Sequence, residues 1–134
     1  VSAKRYVLDS FALLAYLQDE PGAQLVQDVL ADESAKVFLC TVNLGEVYYI
    51  TYREQGEAEA EEALLIVEQL PIEEVVPDRE LILQAARIKA SFAISYADAF
   101  VAALAERRQG TIVTGDPEFK QLAHLSIKWL PSPY

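Results

Sequence analysis

Apolar positions along the chain keep two rhythms that take turns. Short runs rich in β-branched and aromatic residues, at 6–8, 36–40, 72–76, 111–113 and 126–130, read as strands. Between them the apolar residues return at helical spacing. Residues 11–18 place Leu13, Leu14 and Leu17 on one face, and 23–31 do the same with Leu25, Val26, Val29 and Leu30 after the Pro21-Gly22 break. Thr41 is expected to cap a helix that runs to 55, where Gly56 ends it, and 57–70 forms another that Pro71 stops. The acids crowded into the start of that second helix suit its dipole. Pro77-Asp78 opens a helix to about 93, 96–108 forms one that Gly110 terminates, and 116–122 gives a last short helix.

Strands alternating with helices predict a three-layer α/β/α sandwich with a mainly parallel central sheet. A length of 134 residues fits one domain, 1–134, with a core of its own. In such folds ligands lie beyond the carboxyl ends of the strands, near the point where strand order reverses. Asp9 follows the first strand directly and Asp116 follows the fourth, so the two are expected to share a mouth.

Composition narrows the chemistry. At 52% hydrophobic and 24% charged the chain is globular, without low-complexity or repeated segments. Its longest apolar runs, such as 99–105, are too short to span a bilayer, and residues 1–5 lack a signal-peptide pattern, so a cytoplasmic protein without membrane contact is expected. Cys40, the single cysteine, precludes a disulfide within the chain and reads as a buried thiol. One Cys and one His cannot build an ordinary zinc site, and His124 alone cannot supply a catalytic histidine pair. The net charge of -10 is the wrong sign for a nucleic-acid binder. Contact with nucleic acid would require bound cations and local basic patches; a basic protein partner fits the charge directly.

Four acids stand out, and each has an ordinary explanation. Asp9 can cap the helix that follows it. Ser95-Tyr96-Ala97-Asp98 has the form of a capping box. Asp116 precedes Pro117 as an N-cap precedes a first-turn proline. Glu46 can lie on a solvated helix face with Asn43 and Arg53. Together, however, the three Asp residues open helices near one sheet edge, where clustered carboxylates are costly unless a cation sits among them. An all-oxygen set suits Mg2+ or Mn2+. Asp9, Glu46, Asp98 and Asp116 are therefore the candidate metal ligands and catalytic residues.

Four segments in order also resemble a known family. Tyr-Val-Leu-Asp-Ser-Phe-Ala-Leu-Leu-Ala-Tyr-Leu at 6–17, Val-Asn-Leu-Gly-Glu-Val-Tyr-Tyr at 42–49, Ser-Tyr-Ala-Asp-Ala-Phe-Val-Ala-Ala-Leu-Ala at 95–105 and Ile-Val-Thr-Gly-Asp-Pro-Glu-Phe at 112–119 resemble the motifs of PIN-domain ribonucleases, particularly VapC-like toxins of toxin–antitoxin pairs. The resemblance implies Asp9 and Asp98 as main metal ligands, Asp116 completing the triad, and Glu46 bound directly or through water. Thr114 would orient Asp116 and nearby water, with Ser10 and Asn43 supporting the pocket. It further implies hydrolysis of RNA, a small antitoxin whose basic segment covers the site, and a homodimer, to which Tyr48, Tyr49 and Tyr52 could contribute. Arg53, Arg87, Lys89, Arg107, Arg108 and Lys120 are the candidates for holding an RNA backbone, against the alternative of solvated helix faces. The competing reading is a catalytically silent α/β interaction module whose acids only cap helices.

Overall fold

Period-two alternation in the strands sorts their side chains onto two faces, and each face acquires its own helices. The computed structural model describes residues 4–132. Its sheet contains β1 (Lys4–Leu8), β2 (Ala35–Cys40), β3 (Glu73–Val75), β4 (Thr111–Thr114) and β5 (Ile127–Trp129), in the order β3-β2-β1-β4-β5 with every pair parallel. Six α-helices complete the layers: α1 (Ser10–Leu17), α2 (Ala23–Ala31), α3 (Thr41–Gln55), α4 (Glu57–Glu68), α5 (Arg79–Ser91) and α6 (Tyr96–Arg108). Val7, Phe38, Cys40, Val75 and Ile112 pack towards α5 and α6. Leu8, Val37, Leu39 and Val113, one residue out of step, pack towards α1 to α4. The expected α/β/α sandwich is present, and its described sheet is wholly parallel.

Helix α6 runs through the middle of its layer and is buried continuously from Asp98 to Ala105. An unbroken apolar surface of small residues lets it lie against β1, β2 and β4 on one side and α3 and α5 on others. Asp98 is the single charge within that buried stretch. Among the described residues no single helix is long and apolar enough to cross a membrane.

Several local expectations change in detail. Cys40, not Thr41, occupies the N-cap of α3, and it offers no capping side-chain hydrogen bond. Cys40 is buried and its thiol is pushed up by burial, as a core thiol should be. The segment after Asp116 is a 3-10 turn, Pro117–Gln121, rather than an α-helix. A proline at its start and the tight Asp116 cap suit the shorter hydrogen-bond step.

One close approach fixes how the site is floored. A Cβ added to Gly115 would stand 2.6 Å from Phe11 Cζ and closer still to Cε1, so glycine lets the Phe11 ring press against the turn after β4. Gly115→Ala is expected to destabilise the protein by about 1–3 kcal/mol through overpacking. In a Phe11→Leu background the same change should be nearly neutral. Denaturant melts of the four proteins check the cycle.

Candidate metal centre

The carboxyl ends of β1 and β4 are neighbours where strand order reverses, and an acid stands just beyond each. Asp9, 1% exposed, caps α1 by accepting the Ala12 N–H at 2.8 Å through Oδ1. Its other oxygen accepts the Thr114 hydroxyl. That hydroxyl oxygen in turn accepts the Asp116 backbone N–H at 2.9 Å, and Asp116 Oδ1 accepts the Glu118 N–H at 2.9 Å. Thr114 thus joins the two strand ends: its proton orients Asp9, and its lone pair holds the backbone of Asp116.

Asp98 enters from the opposite layer. Ser95 caps α6 by accepting the Asp98 N–H at 3.1 Å, but the reciprocal half of a capping box is missing. Among the described residues the Asp98 carboxylate receives no hydrogen bond, although the residue is only 5% exposed. It faces other acids instead. One oxygen each from Asp98, Asp116 and Glu118 lie within 4.8 Å of one another. Glu46, one turn into α3, is oriented by Asn43, whose Nδ2 donates to Glu46 Oε1 at 3.1 Å and to the Ala97 carbonyl at 3.2 Å. Both neighbours of that amide nitrogen are acceptors, so the amide cannot flip, and the buried Oδ1 is left without a partner.

Electrostatics follow from this crowding. Burial, reinforced by Asp116, Asp9, Glu118 and Glu46, pushes Asp98 up to about 8. Asp9 is pushed up to about 7, chiefly by burial; the hydrogen bonds from Thr114 and Ala12 oppose the rise, while Asp116 and Glu46 add to it. Without a cation the cluster therefore holds protons at neutral pH. The donor set fits a hard divalent ion: oxygen ligands only, negative charge in excess, and three carboxylate oxygens within 4.8 Å of one another. Asp98, Asp116 and Glu118 bring oxygens close enough together to share it, while Asp9 and Glu46, expected from sequence to be ligands, lie outside that trio and surround it with charge.

Asp9, Glu46 and Asp116 all act on Asp98 at this mouth, but the tight trio of oxygens pairs Asp98 and Asp116 with Glu118, which was not among the four acids named from sequence. The missed signal was the Asp-Pro-Glu spacing: an Asp that accepts the N–H two residues on turns that residue back towards itself. Ser10 lines a cavity of about 420 Å³ together with Phe11, Leu14, Ile50, Asp116, Pro117 and Glu118.

The basic candidates are dispersed. Arg107 forks onto Asp78 at 3.0 and 3.1 Å, and Arg108 lies over the Phe38 ring at 5.0 Å with Glu73 at 3.8 Å. Both sit at the end of α6 remote from Asp98, so neither faces the mouth. Lys89 donates to the Ile94 carbonyl at 2.7 Å, and Arg53 lies over Tyr49 at 5.2 Å. Arg87 is exposed on α5, and Lys120 is exposed two residues after Glu118. His124 pairs with Glu106 at 2.8 Å, outside the acidic cluster.

Comparison with known proteins agrees with this fold. The PIN domain family model matches residues 6–125. No curated protein sequence matches the chain. Among solved structures, a chain of VapBC2 from Rickettsia felis, crystallised with a DNA fragment from their promoter, superposes with a TM-score of 0.77 at 16% identity, covering 95% of this chain and 99% of that one. VapC20 of Mycobacterium tuberculosis, a Sarcin-Ricin loop cleaving toxin, gives 0.74 at 18% identity, with 96% and 100% covered. A chain of DNA-bound VapBC from Salmonella typhimurium gives 0.73 at 19% identity, with 93% and 97% covered.

Proposed function

The chain belongs to the PIN domain family, and from that premise we propose that it is a divalent-cation-dependent endoribonuclease, the toxin of a toxin–antitoxin pair. The observation that carries the reading is Asp98: a mostly buried residue whose carboxylate, with no hydrogen-bond donor, lies against those of Asp116 and Glu118 and within the field of Asp9 and Glu46. Mg2+ or Mn2+ held there would supply Lewis acidity towards water and towards the phosphoryl oxygens of an RNA strand. Asp98, Asp116 and Glu118 form the inner oxygen set, Asp9 adds charge from a position fixed by Thr114, and Asn43 holds Glu46 in line. In-line attack by water on phosphorus would break the bond to the 3′-oxygen, which leaves as a hydroxyl after taking a proton, while the phosphate stays on the 5′-oxygen of the downstream fragment.

RNA as the substrate rests on family membership and on the fold shared with a toxin that cleaves the Sarcin-Ricin loop. A small antitoxin is supported by likeness to chains of VapBC structures and by the surface beside the acids. A second cavity of about 520 Å³, bounded by Phe11, Leu14, Ala15, Ile50 and Pro131, shares Phe11, Leu14 and Ile50 with the one at the acid mouth. A partner segment with an apolar face ending in Arg or Lys would fill this groove and neutralise the acids, and a chain of net charge -10 attracts it. The same reading makes 1–134 a single nuclease domain working in the cytoplasm as a homodimer, with exposed Tyr49 and Tyr52 available to an interface.

The silent-module alternative has one observation in its favour, because Asp9 and Asp116 do cap their helices. It leaves Asp98 unexplained. The deciding experiment is incubation of partner-free protein with total cellular RNA in Mn2+ and in chelator. Cleavage only with Mn2+ is the expected result; no cleavage in either condition would sink the nuclease reading.

A further inference from the structure

Two of the segments that carry the acids are tied together by one side chain outside the cluster. The Gln121 amide meets the backbone of Ala93 on both sides: Ala93 N–H donates to Gln121 Oε1 at 3.2 Å, and Gln121 Nε2 donates to the Ala93 carbonyl at 3.0 Å. The same Nε2 lies 3.3 Å from the Glu118 carbonyl. Gln121 therefore pairs with Ala93 much as a neighbouring strand would, satisfying donor and acceptor together.

What lies on either side of the clasp gives it meaning. Gln121 closes the 3-10 turn that begins after Asp116 and contains Glu118. Ala93 sits in the connection between α5 and α6, two residues before Ser95, the cap that precedes Asp98. Lys89 anchors the same connection from α5 through the Ile94 carbonyl at 2.7 Å. One oxygen each from Asp98 on one segment and from Asp116 and Glu118 on the other lie within 4.8 Å of one another, a spacing that a shared cation requires. A two-bond bridge between the segments holds them at that spacing.

We infer that Gln121 is a positioning residue for the cation site, holding the Asp98 segment at binding distance from Asp116 and Glu118. This rests on the acids being a cation site, as proposed above, and it adds that their spacing is set by a side chain that contacts neither cation nor substrate. Preorganisation of this kind appears in affinity, because an unclasped site must be drawn together at the moment of binding.

The test is Mn2+ titration of the full chain, with free Mn2+ followed by electron paramagnetic resonance, in wild type, Gln121→Ala, Gln121→Met and Thr111→Val. Met keeps the length of the side chain without its hydrogen bonds. Thr111→Val removes the exposed Thr111–Ser126 bond at the start of β4, away from the acids, and serves as the matched control. Melts without metal report the fold of each variant. Expected is a loss of Mn2+ affinity of about five- to tenfold in both Gln121 variants, with Thr111→Val binding like wild type. Wild-type affinity in Gln121→Met overturns the clasp, as does an equal loss in Thr111→Val. Absence of Mn2+ binding in wild type would instead overturn the cation site itself.

Discussion

The metal-free protein is expected to melt at a higher temperature at pH 5.5 than at pH 8, and Mn2+ at pH 8 is expected to restore what the alkaline shift removed. Asp98 and Asp9 have folded-state pKa values raised to about 8 and about 7 from an ordinary 3.8. Between these limits the folded chain binds protons that the unfolded chain has released, so stability falls as pH rises. Each proton so held gives a slope of up to about 1.4 kcal/mol per pH unit, shared across a cluster whose members titrate together. Asp32 and Asp78 are lowered, by Ser34 and by Arg107 respectively, and their contribution disappears only at more acid pH, outside this window. The profile is measured also in His124→Gln, which removes the Glu106 pair and leaves the carboxylates. Circular-dichroism melts in chelator and in Mn2+ supply the comparison. A flat profile between pH 5.5 and 8 would mean that the acids are not crowded as described, and a profile that Mn2+ leaves untouched would mean that they bind no cation.

Which features the sequence revealed follows from where each determinant lies. Helix α6 was readable end to end because Ser95, the apolar run and Gly110 are all local signals. Asp9 and Asp116 were readable as mouth residues because strand ends and topology rules bring them together without knowledge of side chains. Their capping explanation was also right, and it does not compete with the site: Asp9 gives one oxygen to the helix and the other to Thr114. Asp98 was the reverse case. Its local pattern promised a capping box, but a carboxylate on a helix buried all round follows tertiary surroundings instead. The Gln121 clasp was out of reach for the same reason, since its pairing with Ala93 arises only when two distant segments meet, whereas Glu118 lay in a local Asp-Pro-Glu signal. Arg107 and Arg108 show the limit of counting charges: helix direction carries them to the end of α6 remote from Asp98.

Asp98→Asn should separate stability from function in a single substitution. Asn keeps the shape of the side chain and removes the charge that burial and four neighbouring acids oppose, so at pH 8 the metal-free variant is expected to melt above wild type, by about 4 °C for each kcal/mol regained. The same change takes away the carboxylate best placed to meet a cation, and Mn2+-dependent RNA cleavage should fall by about three orders of magnitude, the upper scale for loss of one preorganised electrostatic group. Asp98→Ala should lose activity equally while gaining less stability, because it removes mostly buried side-chain volume. Asp9→Asn should behave differently: Asp9 already accepts from Ala12 and Thr114, and an amide nitrogen cannot accept what a carboxylate oxygen does, so stability should not rise. Melting and cleavage measured on the same preparations test the contrast. A destabilised Asp98→Asn that still cleaves RNA would show that Asp98 serves the fold, whereas the opposite pair of results makes it a charge retained against stability because a cation needs it.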